Sequence, residues 1–279
     1  MVTRLLPVML LVGCDEEVYA STQITSLQIV SMASEPPEVS PHESIDLIVT
    51  IADPHMSGAE VAVWMCTPVG DGGQCLESAA YDGQQPIATG VRDPDTHAAA
   101  IPFIPLDVQV AEINAVIDSG KPFWGTLAFA LACKPGLCPL FDDIEAGTVN
   151  PDHLADPELL LAGLPMDGVS LGWRTMTLTS EDPDYRNDNP TITPMFDTPV
   201  EVAAGSSRDL SFQVDEMTGS GIAYPLTTVG GFSTESAPAP TPSLTWVAPE
   251  KGGQEGFIYV VVDDGFSGQS VWIGEAIVR

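Results

Sequence analysis

Apolar runs in this chain are short, often alternating, and bounded by turn residues, and that pattern constrains its fold more than any other feature. With 25 glycines and 25 prolines among 279 residues, long helices have little room, because both residues interrupt or weaken helical backbone structure. Alternation with a period of two is the signature of a strand with one buried face. The pattern predicts strands over residues 24–32, 45–52, 60–66, 123–132 and 169–179, and again over 209–214, 244–247, 257–262 and 270–278. Two segments depart from it. Residues 107–119 space Val110, Ile113, Val116 and Ile117 at helical intervals with Gly120 as a stop, and residues 152–161 have an acidic start and Gly163 just beyond. Both are expected as short helices inserted into a mainly β framework.

The chain also repeats itself. Glu38-Val39 with Ser44, Asp46, Leu47, Val49 and Ile51 aligns without gaps on Glu201-Val202 with Ser207, Asp209, Leu210, Phe212 and Val214. In each copy a turn leads into a strand with alternate apolar residues, as at the entrance to an immunoglobulin-like sandwich. Near the C-terminus, Tyr259-Val260-Val261-Val262-Asp263-Asp264-Gly265 followed by Gly268 and Trp272, with Trp246-Val247-Ala248-Pro249 before it, resembles the closing hairpin of bacterial Ig-like and cadherin-like repeats. The resemblance covers the last 90 or so residues and the entrance of the first copy. It implies two Ig-like β-sandwich domains in tandem, over residues 25–180 and 191–279, the first carrying the helical insertions. Residues 181–190, polar, acidic and proline-containing, suit a linker.

Ahead of this body, Arg4 precedes an apolar stretch over residues 5–12, which ends in Leu11-Val12-Gly13-Cys14. The stretch is too short to span a bilayer, which takes roughly 20 apolar residues. It resembles the lipobox of bacterial lipoproteins, in which the signal is cut before the cysteine and the cysteine is acylated. The resemblance implies a signal peptide over residues 1–13, lipidation of Cys14, a tether over residues 14–24, and a place in the bacterial cell envelope, facing periplasm or exterior. Asp15 fits inner-membrane retention as enteric bacteria practise it, but lineages sort differently and the leaflet stays open.

Charge narrows the partners. The chain carries 39 acidic and 9 basic residues, a formal net charge of −30. Such a field repels phosphate backbones and anionic headgroups, which excludes nucleic-acid binding and leaves the lipid as the membrane contact. Solubility on a tether and adaptation to a salty medium each account for the excess without a dedicated ligand.

With Cys14 assigned to lipid, four cysteines remain for an oxidising compartment. Cys66 lies near Cys75 and Cys133 near Cys138, so local pairing within each couple is the expectation, although four cysteines allow three pairings. Neither spacing is CxxC and no histidine is close, which argues against zinc.

Catalytic motifs are sparse. Gly168-Val169-Ser170-Leu171-Gly172 matches GxSxG, but the nucleophile elbow needs a strand before the serine and a helix after it. Here the helix-like run comes first and an alternating strand follows. His42, His55, His97 and His153 sit in no tight ligand spacing, and no phosphate loop is present. No catalytic residues are assigned.

The linker is the best candidate site. Asn187-Asp188-Asn189, with Asp184 upstream, resembles the interdomain calcium motif of cadherins, which implies a calcium ion held by carboxylate, amide and carbonyl oxygens. The pattern departs from the cadherin one at Tyr185 and Arg186, and a polar turn before the second domain is the competing reading. Asp263 and Asp264 form a weaker acidic pair in a turn. The expectation is thus a lipid-anchored structural or binding module with an unidentified protein or glycan partner. The alternative, a carbohydrate-binding or adhesive module with the linker stabilised by calcium, would need exposed aromatics. The tryptophans Trp64, Trp124, Trp173, Trp246 and Trp272 all sit in apolar strand patterns that predict core positions.

Overall fold

The computed structural model describes residues 20–39, 44–66, 68–69, 74–75, 87–103, 126–150, 154, 160–178, 187–217 and 219–279. It is mainly β. The first half contains strands β1 (Gln28–Glu35), β2 (Glu38–Val39), β3 (Ile45–Ala52), β4 (Glu60–Cys66), β5 (Pro68–Val69), β6 (Gln74–Cys75), β7 (Ile87–Val91), β8 (Ala98–Phe103), β9 (Thr126–Cys133) and β10 (Val169–Leu178), with helix α1 (Pro139–Ala146) between the last two. The second half contains β11 (Thr191–Pro194), β12 (Val200–Val202), β13 (Ser207–Asp215), β14 (Ile222–Thr227), β15 (Gly231–Phe232), β16 (Ala237–Pro238), β17 (Ser243–Val247), β18 (Gln254–Asp263) and β19 (Gln269–Val278).

The two halves of the chain share a pattern of strand connections. In the first half a three-stranded sheet, β1-β3-β8, faces a five-stranded sheet, β2-β10-β9-β4-β7. In the second half β11-β13-β17-β15 faces β12-β19-β18-β14-β16. Each half begins with a strand antiparallel to the third, then crosses to the opposite sheet and runs parallel to its last strand: Glu38 pairs with Thr177, and Glu201 with Ile277. The aligned residues Leu47, Val49 and Ile51 are buried in one core, and Leu210, Phe212 and Val214 in the other. Matched periodicity thus produced matched inward faces.

Each half has its own apolar centre. In the first, β3 sends Ile45, Leu47, Val49 and Ile51 against Val61, Val63 and Met65 of β4 and the alanines at 128, 130 and 132 of β9. In the second, Trp246 and Phe212 pack with Ile258, Val260 and Val262. Burying a large apolar side chain contributes about 1.5–3 kcal/mol, so each cluster is a main source of stability for the sheets it joins.

Both five-stranded sheets are buried on their outer faces as well, which explains why β4, β9 and β18 read as nearly continuous apolar runs. In the first half the cover comes from the β9–β10 connection. Ala62, Trp64, Phe129 and Leu131 pack against Leu140 of α1, Leu154 and Leu160. Helix α1 starts at Pro139, which needs no backbone donor there, and stops at Gly147, whose left-handed φ of 67° lets its N–H close on Asp143 and Ile144. The expected helix at 107–119 lies outside the described residues. Of 152–161, Leu154, Leu160 and Leu161 are described and are helical.

Candidate functional site

The outer face of the second five-stranded sheet is covered by the first sandwich. Tyr259, fully buried on β18, forms a cluster with Ile24 and Ala52, flanked by Val30, Leu226, Phe257, Val271 and Ile273. His97, in the β7–β8 loop, is 3% exposed and places Nδ1 2.7 Å from the Tyr259 hydroxyl, while its ring meets Phe257 edge-on at 4.3 Å. Burial, reinforced by the neighbouring Arg92 guanidinium, pushes the His97 pKa down to about 4 against an opposing pull from Asp93. Burial also raises the Tyr259 phenol. Both groups are therefore neutral at pH 7, and their hydrogen bond carries no buried charge.

A second, polar contact joins the halves at the other end of β1. Arg174 of β10 donates from one terminal nitrogen to the Met32 carbonyl at 2.9 Å and from the other to the Ser267 carbonyl. Gln269 of β19 accepts the Met32 N–H at 3.2 Å. Asn189 donates to the Ser34 carbonyl and the Glu35 carboxylate, both at 2.8 Å, and accepts the Gln269 N–H at 2.9 Å. The free edge of β1 is thus capped by side chains where an unpaired ladder would otherwise face water.

The β18–β19 turn is organised around Asp264, whose exposure is 0%. Its carboxylate accepts the Phe266 and Gly268 N–H groups at 2.9 and 3.1 Å and the side-chain amide of Asn187. Glu38 closes the arrangement by accepting the Asn187 N–H and the Ser267 hydroxyl, both at 3.2 Å. Gly268 has no room for a side chain: a Cβ there would lie 2.6 Å from the Asp264 carboxylate and 2.7 Å from the Asp188 carbonyl.

Between β1, β10 and this turn opens a cleft of about 440 Å³. Its walls include Trp173, 67% exposed, and Phe266, 65% exposed. Met32, Arg174, Asp263 and Gln269 also line it.

Cys14 and Asp184 lie outside the described residues. Cys66 ends β4 and Cys75 ends β6. Cys133 and Cys138 are joined by a disulfide that opens the connection covering the outer face. Asn187, Asp188 and Asn189 do sit between the halves, where the amides of Asn187 and Asn189 serve as hydrogen-bonding groups; among the described residues no cluster of three or more His, Cys, Asp and Glu side chains is arranged to hold a metal. Ser170 stands inside β10, with Oγ accepting the Ile29 N–H at 2.9 Å, so GxSxG here is a strand and not an elbow.

One tryptophan expectation is corrected. Trp64 and Trp246 are fully buried and Trp272 packs against the second core, but Trp173 is exposed. The outer-face cover reaches Leu171 on β10 and does not include Trp173. Phe266 went unremarked in the sequence; the signal was the Asp-Asp-Gly turn that holds it out. No protein-family model and no curated protein matches the chain.

Proposed function

We propose that this chain is a lipid-anchored envelope protein, acylated at Cys14, whose two Ig-like sandwiches act together as one binding module. The lipobox-like Leu11-Val12-Gly13-Cys14 supports the anchor, and the repeated strand order supports the paired sandwiches. The observation that carries the reading is where the N-terminal segment goes. Gln23 bridges to Thr227, the Ile24 N–H donates to the Thr227 carbonyl at 2.8 Å, and Thr22 Oγ1 accepts the Phe232 N–H at 3.0 Å. The chain is therefore tied to the second sandwich within a few residues of Cys14. Eight residues of extended chain, from Cys14 to Thr22, reach at most about 28 Å, so the lipid would hold the body close to the bilayer.

Membrane fractionation tests this reading. The wild-type chain is expected to sediment with membranes and to need detergent for release, and Cys14→Ser to appear in the soluble fraction. Membrane association that survives Cys14→Ser would overturn it.

A further inference from the structure

We propose that the cleft between the sandwiches is a binding site for a neutral glycan, with Trp173 and Phe266 as stacking walls and Asp263 as the principal acceptor of sugar hydroxyls. The proposal rests on the reading of the body as a binding module and supplies its ligand class.

Three observations carry it. First, two large aromatic rings, each about two-thirds exposed, line the same cleft. Exposed aromatic surface held in a shaped recess marks a recognition site more than a surface accident. Second, Phe266 is held out by a built turn. The buried Asp264 carboxylate takes the Phe266 and Gly268 N–H groups, and a Cβ at Gly219 would lie 2.6 Å from the Phe266 ring, so the ring's position depends on a bare glycine beside it. Burying a carboxylate is costly unless it is fully bonded, and here the result is a fixed aromatic side chain facing solvent. Preorganisation of that kind lowers the ordering cost of binding.

Third, the remaining lining selects among ligands. Within the cleft the edge of β1 is already capped at Met32, by Gln269 on the N–H and Arg174 on the carbonyl. An added peptide strand would find that position of the β1 ladder already occupied. A net charge of −30 disfavours anionic ligands, and the Arg174 guanidinium beside Asp263 offsets the one carboxylate that could attract a cation. Asp263 accepts the Gly265 N–H at 2.8 Å and the Gln269 amide at 3.3 Å and, with two lone pairs on each oxygen, keeps acceptor capacity. A ligand with apolar faces and many hydroxyl donors matches this lining.

The test uses the full chain carrying Cys14→Ser, titrated calorimetrically with cellotetraose, maltotetraose, chitotetraose and mannotetraose, with an arginine-rich peptide as comparison. Saturable binding of at least one oligosaccharide is expected, weakened about tenfold or more by Trp173→Ala and by Phe266→Ala and largely kept in Trp173→Phe. Both positions are exposed, so unchanged thermal melting is expected to accompany the loss. No saturable binding of any of the four at millimolar concentration would overturn the proposal, as would affinities unaffected by both substitutions. Peptide binding lost in the two alanine variants without sugar binding would also overturn it, in favour of a protein partner. Any of these failures leaves membrane release by Cys14→Ser untouched, so the site and the anchored module fail separately.

Discussion

His97 Nδ1 and the Tyr259 hydroxyl lie 2.7 Å apart, joining a loop of the first sandwich to the central strand of the second. Both groups are buried, and the pair is favourable only while His97 is neutral. Its folded pKa, about 4, is below the ordinary 6.5. The stability it contributes is thus fully present above pH 6.5 and is lost as pH falls toward 4, because the unfolded chain takes up the proton first. His97→Asn tolerates the left-handed φ of 56° at this position. The stability gap between wild type and this variant, measured by urea unfolding, is expected to shrink by about 2–3 kcal/mol from pH 7 to pH 4. A gap independent of pH would refute the assignment.

Asp264→Ala is expected to cost about 3 kcal/mol, since it removes the buried acceptor of the Phe266 and Gly268 N–H groups and of the Asn187 amide. Hydrogen exchange provides the specific check. Protection should fall first at residues 264–269 and along β1 near Met32, while β13 and β17 keep theirs.

Gly230 sits at φ 72°, and a Cβ there would lie 2.3 Å from the Val247 carbonyl and 3.0 Å from the Trp246 indole nitrogen. That nitrogen donates to the Val229 carbonyl at 3.0 Å inside the second core. Gly230→Ala is therefore expected to destabilise by about 3 kcal/mol through strain and displaced packing. In thermal melts this should lower Tm by several degrees, with a larger effect than Gly58→Ala, where a Cβ meets nothing within 4 Å.

Replacing Cys133 and Cys138 together by alanine removes a link that closes a five-residue separation. The short loop limits the loss to about 2 kcal/mol. Proteolysis should reveal it as earlier cleavage in the β9–β10 connection, since the disulfide leads directly into the helix that covers Trp64 and Phe129.

Sequence periodicity located much of the framework. Strands at 45–52 and 60–66 appear at those bounds, and the expected strands at 169–179, 244–247 and 270–278 differ from the observed ones by a residue or so at their ends. Among the strands it missed, β8, β11 and β14 contain Pro102, Pro194 and Pro225; proline lacks a ladder donor and argues against a strand when read locally. It also missed α1, a two-turn helix whose apolar residues are too few to establish a period. The site was legible in part. Asn187 and Asn189 stood out as interdomain residues, but the cleft depends on Trp173 and Phe266, 93 positions apart in sequence, lining one recess, which only the packing of the two sandwiches creates.

That packing, through the His97–Tyr259 and Asp264 contacts, joins the sandwiches into one cooperative unit. Differential scanning calorimetry of the full chain carrying Cys14→Ser should show a single transition with matching calorimetric and van't Hoff enthalpies, which Asp264→Ala lowers or splits. Two resolved transitions in the chain with an intact junction would contradict it.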